Sequence, residues 1–433
     1  MTRKKILTLV KDFAQEKFAP SKFVAGKTVV PVSGKVFNHR DVVNLVDSAL
    51  DFWLTTGRFN QQFEDKLAKF IGIKYLLTCN SGSSANLLAF SALTSHLLGS
   101  RAIKKGDEVI TVAAGFPTTA NPILLYGAIP VFIDVSIPEY QVDVKLIKKA
   151  ITTKTKAIMI AHTLGNPFNL AEVKKICIKH KLWLIEDCCD ALGSTYQGQH
   201  VGTFGDLATL SFYPAHHITM GEGGAVFSNN PLLKKILLSI RDWGRDCWCE
   251  TGHDNTCLKR FLWKLGDLPL GYDHKYIYSH LGFNLKITDM QAAVGLAQLK
   301  HLPQFIKQRK NNFAYLKKNF AKWEQYFILP IATEHSDPSW FGFPLTLKDN
   351  LPFTRQELLI YLTKNKIGTR LLFAGNLTKQ PYMKQQKYKI KSKLTNTDKI
   401  MNDTFWLGVY PGLNRQHLNY MLEIFNKFLK SYA

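Results

Sequence analysis

The sequence predicts an α/β fold in which a large domain, with a mostly parallel sheet flanked by helices, precedes a smaller C-terminal α/β domain. Three observations carry this. Apolar strand-like runs alternate with helical patterns from about residue 30 to 300, and such alternation builds a parallel sheet with helices on both faces. The length of 433 residues exceeds what one core organises, so two domains are expected. Beyond about residue 301 the character changes to lysine-rich helical and smaller mixed segments.

Each element has its own justification. "MTRKKILTLVKDFAQEKF" has a basic head, but its apolar core is interrupted by Lys11 and Asp12. It reads as a surface amphipathic helix rather than a secretion signal and opens a helical extension over residues 1–35. In the large domain, residues 36–300, "DEVITVA" (Asp107 to Ala113), "IPVFIDV" (Ile129 to Val135), "KAIMIAHT" (Lys156 to Thr163) and "LWLIEDC" (Leu182 to Cys188) read as buried strands. "SSANLLAFSALTSHLL" and "NLAEVKKICIKHK" read as helices between them. The small domain, residues 301–433, begins with the helix "LPQFIKQRKNNFAYLKKNFAKW" and closes on "FNKFLKSYA". There are no internal repeats or low-complexity tracts, and no apolar run approaches the ~20 residues that cross a bilayer. A cytoplasmic protein without membrane insertion is expected.

Composition is that of an ordinary globular chain, 46% hydrophobic and 12% aromatic, with a formal charge of +23. Such an excess fits nucleic acid, a membrane surface or an acidic protein partner. The basic residues are scattered apart from "KQPYMKQQKYKIKSK" (Lys379 to Lys393), and no nucleic-acid-binding signature accompanies them. A solvated lysine-rich surface is the expectation, with no nucleic acid as partner. Seven cysteines, an odd number without secretory features, argue against a disulfide framework.

In parallel sheets ligands sit at the carboxyl ends of strands, so the residues that follow the strands are the candidates for chemistry. "TCNSGSSAN" (Thr78 to Asn86) is a small-residue turn opening a helix, whose free N–H groups suit a phosphate, although serine and glycine also simply cap helices. Phe116 in "AAGFPTTANP" either stacks on a flat ring or folds back onto the core. "IEDCCDALG" ends a strand with Glu186 and Asp187, either to pair with a protonated ring nitrogen or to cap the next helix. Ser211 offers a hydroxyl to the same phosphate.

Together with "LTTGRFNQQFE", "GEGGAV" and "LGFNLKITDMQAAVGLAQL", these stretches resemble the sugar-modifying branch of the fold type I, vitamin B6-dependent enzymes, the sugar aminotransferase and dehydratase family. The resemblance runs from about Val36 to the end. It implies the fold type I aminotransferase-like architecture and pyridoxal or pyridoxamine phosphate as cofactor. The phosphate would be held by Ser83, Ser84 and Ser211, with the ring against Phe116 and Asp187 on its nitrogen. It also implies a homodimer in which Asn284 reaches the phosphate of the neighbouring subunit.

"SFYPAHHITMGEGGAV" (Ser211 to Val226) departs from the family's aminotransferases, which carry a lysine where this chain has His216. An imidazole cannot bind the cofactor covalently but can move a proton, since its unperturbed pKa of about 6.5 is near operating pH. Pyridoxamine phosphate held without a covalent bond follows, and His216 is favoured over its neighbour His217 by its spacing from Ser211. The stretch resembles the family's 3-dehydratases of nucleotide-linked 4-keto-6-deoxyhexoses, as do Asp190, Tyr213 near the base and Phe341 in "SWFGFPL". Arg370 in "GTRLLFAGN" is a candidate substrate contact.

Cys189, Cys247, Cys249 and Cys257 have the spacing C-x57-C-x-C-x7-C. Four thiolates hold an iron–sulfur cluster or a structural zinc, and the spacing alone leaves the metal open. The resemblance implies a 2Fe-2S cluster, as in the 3-dehydratases that work with a reductase. It further implies a CDP-linked 4-keto-6-deoxy-D-glucose as substrate, in the biosynthesis of 3,6-dideoxyhexoses for lipopolysaccharide O-antigen. The chain shows no nicotinamide or flavin fingerprint, so the partner expected is an NAD(P)H-dependent flavin/iron–sulfur reductase, which the basic surface would suit. A cluster-free dehydratase or an ordinary aminotransferase is the alternative; the cysteines argue against the first and the absent lysine against the second.

Overall fold

The computed structural model describes residues 1–19, 22–249 and 252–432. Its centre is an eight-stranded sheet in the spatial order Tyr75–Cys79, Gly224–Ser228, Leu207–Ser211, Trp183–Asp187, Thr155–Ala161, Glu108–Val112, Ile129–Ile133 and Lys389–Ile390. All neighbours pair in parallel except Gly224–Ser228, which runs antiparallel to both of its partners. The four strands expected from apolar runs therefore form, each within a residue or two of its expected limits.

Alternate strand residues feed two apolar layers, as the two-residue period of a strand requires. Val109, Met159 and Ile185 pack on one face, with the helices Gly82–Ala92 and Pro231–Arg241. Ile110, Ile158 and Leu184 pack on the other, with Phe63 and Leu67 of the helix Arg58–Ile71. Helix starts are set locally: Ser81 Oγ accepts from Ser84 N at 3.0 Å, and Asn169 Oδ1 accepts from Glu172 N at 3.1 Å.

A second core gathers a four-stranded antiparallel sheet, Phe327–Ile328, Gly342–Leu347, Thr404–Gly408 and Arg370–Leu371. The helices Leu302–Phe320, Arg355–Lys364 and Arg415–Lys430 cover it. Val30 joins this core through a bridge to Ile367. The basic stretch Lys379–Lys393 keeps its lysines exposed, as expected, and in addition supplies the edge strand Lys389–Ile390 of the large sheet, where Lys389 Nζ lies 2.6 Å from the buried Glu108 carboxylate. Among the described residues no helix is long and apolar enough to cross a membrane.

Candidate active site

The parallel strands deliver their carboxyl ends to one edge of the sheet, where Val112, Ala161, Asp187 and Ser211 line a cavity of about 1100 Å³. Arg370, Leu371 and Trp406 of the four-stranded sheet, with Phe341 and Phe373 beside it in sequence, close it from the other side. Of the residues expected from sequence, Ser83, Phe116, Asp187, Cys189, Asp190, Ser211, Tyr213, His216, Phe341 and Arg370 all line this one cavity. Ser84 sits behind the lining, its N–H bonded to Ser81. His217 points away and bonds the Ser339 carbonyl at 2.8 Å.

One end of the cavity is built for an anion. Gly82 and Ser83 begin an 11-residue helix, so their N–H groups face the cavity without intrahelical partners. Ser211 abuts this turn: a Cβ on Gly82 would stand 2.4 Å from Ser211 Cβ, so only glycine permits the approach. Gly224 has the same constraint from behind, since a Cβ there would lie 2.3 Å from the Ser81 carbonyl oxygen. The last glycine of "GEGGAV", Gly224, thus lets the antiparallel strand press the turn into place.

Strand alternation separates the two acids of "IEDCCDALG". Glu186 faces away, accepting from Gly202 N at 2.7 Å and Phe204 N at 3.0 Å and meeting His162 Nε2 at 3.0 Å. Asp187 faces the cavity, where Asn86 Nδ2 donates at 2.8 Å and Thr119 Oγ1 at 2.7 Å to Oδ2, and Cys189 N donates at 3.1 Å to Oδ1. A carboxylate held by three donors is positioned to meet a cationic ring nitrogen. Phe116, half-exposed at 49%, offers a ring face beside it and meets Phe373 edge-on at 5.9 Å.

His216 follows a turn closed by its own N–H bonding the Tyr213 carbonyl at 2.9 Å. Its ring lies against Phe341 at 5.2 Å, and its Nδ1 has no hydrogen-bond partner, with Asp190 Oδ1 nearest at 3.5 Å. Burial, with help from the Arg309 charge, pushes the imidazole down to about 4. Burial and the Asp187 charge push Asp190 up to about 8. The site therefore holds an imidazole that is neutral at neutral pH and has an unsatisfied Nδ1, which is the chemistry of a proton acceptor.

The DegT/DnrJ/EryC1/StrS aminotransferase family matches residues 38–426. The chain belongs to this family. A lipopolysaccharide biosynthesis protein, RfbH, of Salmonella typhimurium is 62% identical over 426 residues, which is 98% of each chain. A dTDP-4-dehydro-2,6-dideoxy-D-glucose 3-dehydratase of Saccharopolyspora spinosa is 50% identical over 98% of this chain and 92% of its own. Among solved structures, the E. coli GDP-4-keto-6-deoxy-D-mannose-3-dehydratase with bound hydrated PLP is similar at TM-score 0.82 and 29% identity, over 92% of this chain and 99% of that one. The fold type I aminotransferase-like architecture expected from the sequence is the one observed.

Two features of this DegT/DnrJ/EryC1/StrS family chain lie outside its own cavity. Asn284 bridges to Asp242, beside the bond from Asn80 N to the Leu285 carbonyl at 2.8 Å, and does not line the cavity. Cys247, Cys249 and Cys257 gather on the segment after the helix Pro231–Arg241, around His274. Burial pushes the Cys249 thiol up, but hydrogen bonds from Thr256 and Cys257 outweigh this and bring it to about 7. Among the described residues, the groupings of possible metal ligands are Cys247, Cys249 and His274, and His162, Glu186 and Cys188; Cys189 lines the cavity, and Cys257 Sγ lies 3.5 Å from His274 Nε2. The other grouping, His162, Glu186 and Cys188, is already consumed by the hydrogen bonds on Glu186.

Sequence reasoning missed three residues that shape the site. Asn86 and Thr119 fix Asp187, and both lie inside stretches that follow strands. Arg309 is the third. Although on a lysine-rich helix, it is 1% exposed and donates to the carbonyls of His216 at 3.2 Å and of Trp340 and Phe341 at 3.3 Å.

Proposed function

We propose that this protein is a pyridoxamine phosphate-dependent nucleotide-sugar 3-dehydratase, specifically a CDP-4-keto-6-deoxy-D-glucose 3-dehydratase acting in 3,6-dideoxyhexose biosynthesis for lipopolysaccharide. The observation that carries it is His216: an imidazole whose Nδ1 has no hydrogen-bond partner lines a cavity with phosphate-binding and ring-binding ends, and no lysine stands among the described residues of the lining. The RfbH and 3-dehydratase relatives support the reading. The cavity's donor set fits the cofactor, because Gly82, Ser83 and Ser211 would take its phosphate, Asp187 its ring nitrogen and Phe116 its ring face. When bound, the cofactor would supply a primary amine for the sugar's C4 ketone and a conjugated system that carries the electron pair left by the C4′ proton toward C3, where the hydroxyl departs with a pair.

The chain's own residues then divide the work. His216 removes the proton from the cofactor's C4′ carbon, and Asp190, beside Nδ1, fixes the orientation of the ring. Phe341 excludes water from one face of the imidazole, while Tyr213 and Arg370 border the space left for the sugar nucleotide. Asn284 serves the phosphate of a second copy in a homodimer. The two electrons that complete C3 deoxygenation come from an NAD(P)H-dependent flavin/iron–sulfur reductase. The thiols of Cys189, Cys247, Cys249 and Cys257 would hold a 2Fe-2S cluster, which would supply one-electron relay between that reductase and the cavity.

Exchange at C3 tests the reaction. Without reductase, protein loaded with pyridoxamine phosphate is expected to incorporate ¹⁸O from water at C3 of the CDP-linked substrate. Amine transfer from glutamate in its place would overturn the dehydratase reading. Reaction with only the dTDP-linked sugar would overturn the nucleotide assignment and favour the substrate type of the Saccharopolyspora relative.

Two further results are expected. A valine at Gly82 would drive its side chain into Ser211, so Gly82→Val weakens pyridoxamine phosphate binding by on the order of tenfold or more, because a misplacement near 1 Å is costly at a shaped site. Equilibrium titration of the cofactor checks this, and unchanged affinity would remove the turn from the phosphate site. For pH, the neutral imidazole is the competent form, and its depression to about 4 keeps it neutral in mild acid. The acid limb of kcat/KM for dehydration should therefore lie well below the free histidine value of about 6.5. A limb centred on that free value would show that His216 is not the base.

A further inference from the structure

The chain crosses from the four-stranded sheet to the edge of the eight-stranded one between the strands Arg370–Leu371 and Lys389–Ile390. On the way Phe373, Ala374, Leu377, Gln380 and Tyr382 line the cavity. Two apolar side chains anchor this crossing to the large domain. Leu377 and Met383 are buried with Ala113, Ala120 and Phe132, and Leu377 N donates to the Ala113 carbonyl at 2.9 Å. Gln380 and Tyr382 lie between the anchors in sequence, so close packing on either side sets their place in the lining.

Both side chains are held by a bond of their own. Gln380 Nε2 donates to the Ala374 carbonyl at 2.9 Å, which leaves Oε1 as an acceptor without a partner among the described residues. Tyr382 Oη donates to Asn121 Oδ1 at 2.9 Å, which leaves Asn121 Nδ2 as a donor, likewise without a partner among the described residues. Asn121 lines the cavity from the helix Pro117–Leu125, which begins just after Phe116. The group stands at the open rim, with Tyr382 38% exposed where Asp187 is 4%. None of the three takes part in the proposed cofactor contacts or proton transfer.

In a nucleotide-linked hexose, C1 carries the diphosphate and lies across the sugar ring from C4. With C4 at the cofactor's amine, the nucleoside extends from the deep end of the cavity toward the rim. A base edge offers an acceptor beside a donor, N3 and the 4-amino group in cytosine or O4 and N3–H in thymine, and a fixed amide donor and acceptor are its complement. We propose that Asn121 and Gln380 form the nucleobase subsite of the cavity, with Tyr382 as the residue that positions Asn121. The ligand class, a pyrimidine sugar nucleotide, rests on the functional reading above, whereas the residues are assigned by their place and their hydrogen bonds. Arg370, bonded among the described residues only to the Thr369 carbonyl beside it, keeps its other donors for the diphosphate.

The test titrates CMP and dTMP, which carry the base without the sugar, into full-length protein loaded with pyridoxamine phosphate. CMP should bind wild type, and Asn121→Ala and Gln380→Met should each weaken it by about tenfold, the loss for one hydrogen bond to the base. Tyr382→Phe should weaken it less than Asn121→Ala, because the donor is loosened and not removed. In C3 exchange the first two variants should raise KM by a similar factor while kcat stays within about twofold. Gln380→Met also gives up the bond to Ala374, so Asn121→Ala, which leaves that bond intact, decides if the two disagree. Tighter binding of dTMP than of CMP, weakened by the same variants, would support the subsite and change only the base it reads. No binding of either nucleotide to wild type, unchanged affinity in Asn121→Ala, or a loss confined to kcat would overturn it. Nucleotide binding needs no turnover, so the two readings fail separately. Variant-sensitive CMP binding without C3 exchange would sink the dehydratase alone, and C3 exchange with variant-insensitive binding would sink the subsite alone.

Discussion

His216→Asn should reduce C3 dehydration by about a thousandfold, within the range for loss of a general base, while pyridoxamine phosphate binding changes little. The two outcomes separate because different elements carry them. The proposed cofactor contacts come from the Gly82–Ser83 turn, Phe116, Asp187 and Ser211, and none is bonded to the His216 side chain. Arg309 reaches only the backbone carbonyl of His216, at 3.2 Å, so an asparagine keeps that bond. The new side chain fills most of the same space against Phe341 but offers no basic nitrogen. The rate of ¹⁸O exchange at C3, read beside a cofactor titration, checks both halves. Full exchange would remove His216 from the reaction, and lost cofactor affinity would make it a structural residue.

How much of the fold and the site is legible in the sequence depends on burial. Strands buried on both sides, such as Glu108–Val112 and Trp183–Asp187, announce themselves as continuous apolar runs. Their carboxyl ends then point to the chemistry, which is why Asp187, Ser211 and His216 stand out in the sequence itself. The edge strand Lys389–Ile390 carries no such signal, because both of its residues are exposed and it forms by pairing with Ile129–Ile133 alone. The choice between Glu186 and Asp187 also needs the sheet, since only the observed facing sends one to three backbone amides and the other into the cavity. His274 is invisible for a related reason. Ligand spacing draws attention to cysteines, and nothing local marks a histidine 17 residues past Cys257 as the buried neighbour of its sulfur.

Arg309 is hidden in another way, and its replacement should have the largest effect on stability. On the helix Leu302–Phe320 it reads as one more cation among lysines, yet its side chain turns inward. Burial pulls its pKa down to about 9, while the nearby Asp190 and Tyr410 pull it back up, so the guanidinium is charged at neutral pH. It donates to the carbonyls of Trp340 and Phe341 on one chain segment and of His216 on another, which ties the catalytic turn to the wall opposite it. Arg309→Ala leaves those three acceptors without their donor and opens a void where a fully buried arginine side chain stood. A cost of about 3–5 kcal/mol is expected, the range for removing one member of a buried charged network. Denaturant unfolding measures it. Arg309→Lys should recover part of the stability, because one ammonium cannot serve all the bonds of a planar fork, and it should leave dehydration below wild type because the His216 turn is held less firmly. A stability change within about 0.5 kcal/mol in Arg309→Ala, the usual range for a surface substitution, would mean that this arginine is solvated after all and that the turn carrying His216 is fixed by other contacts.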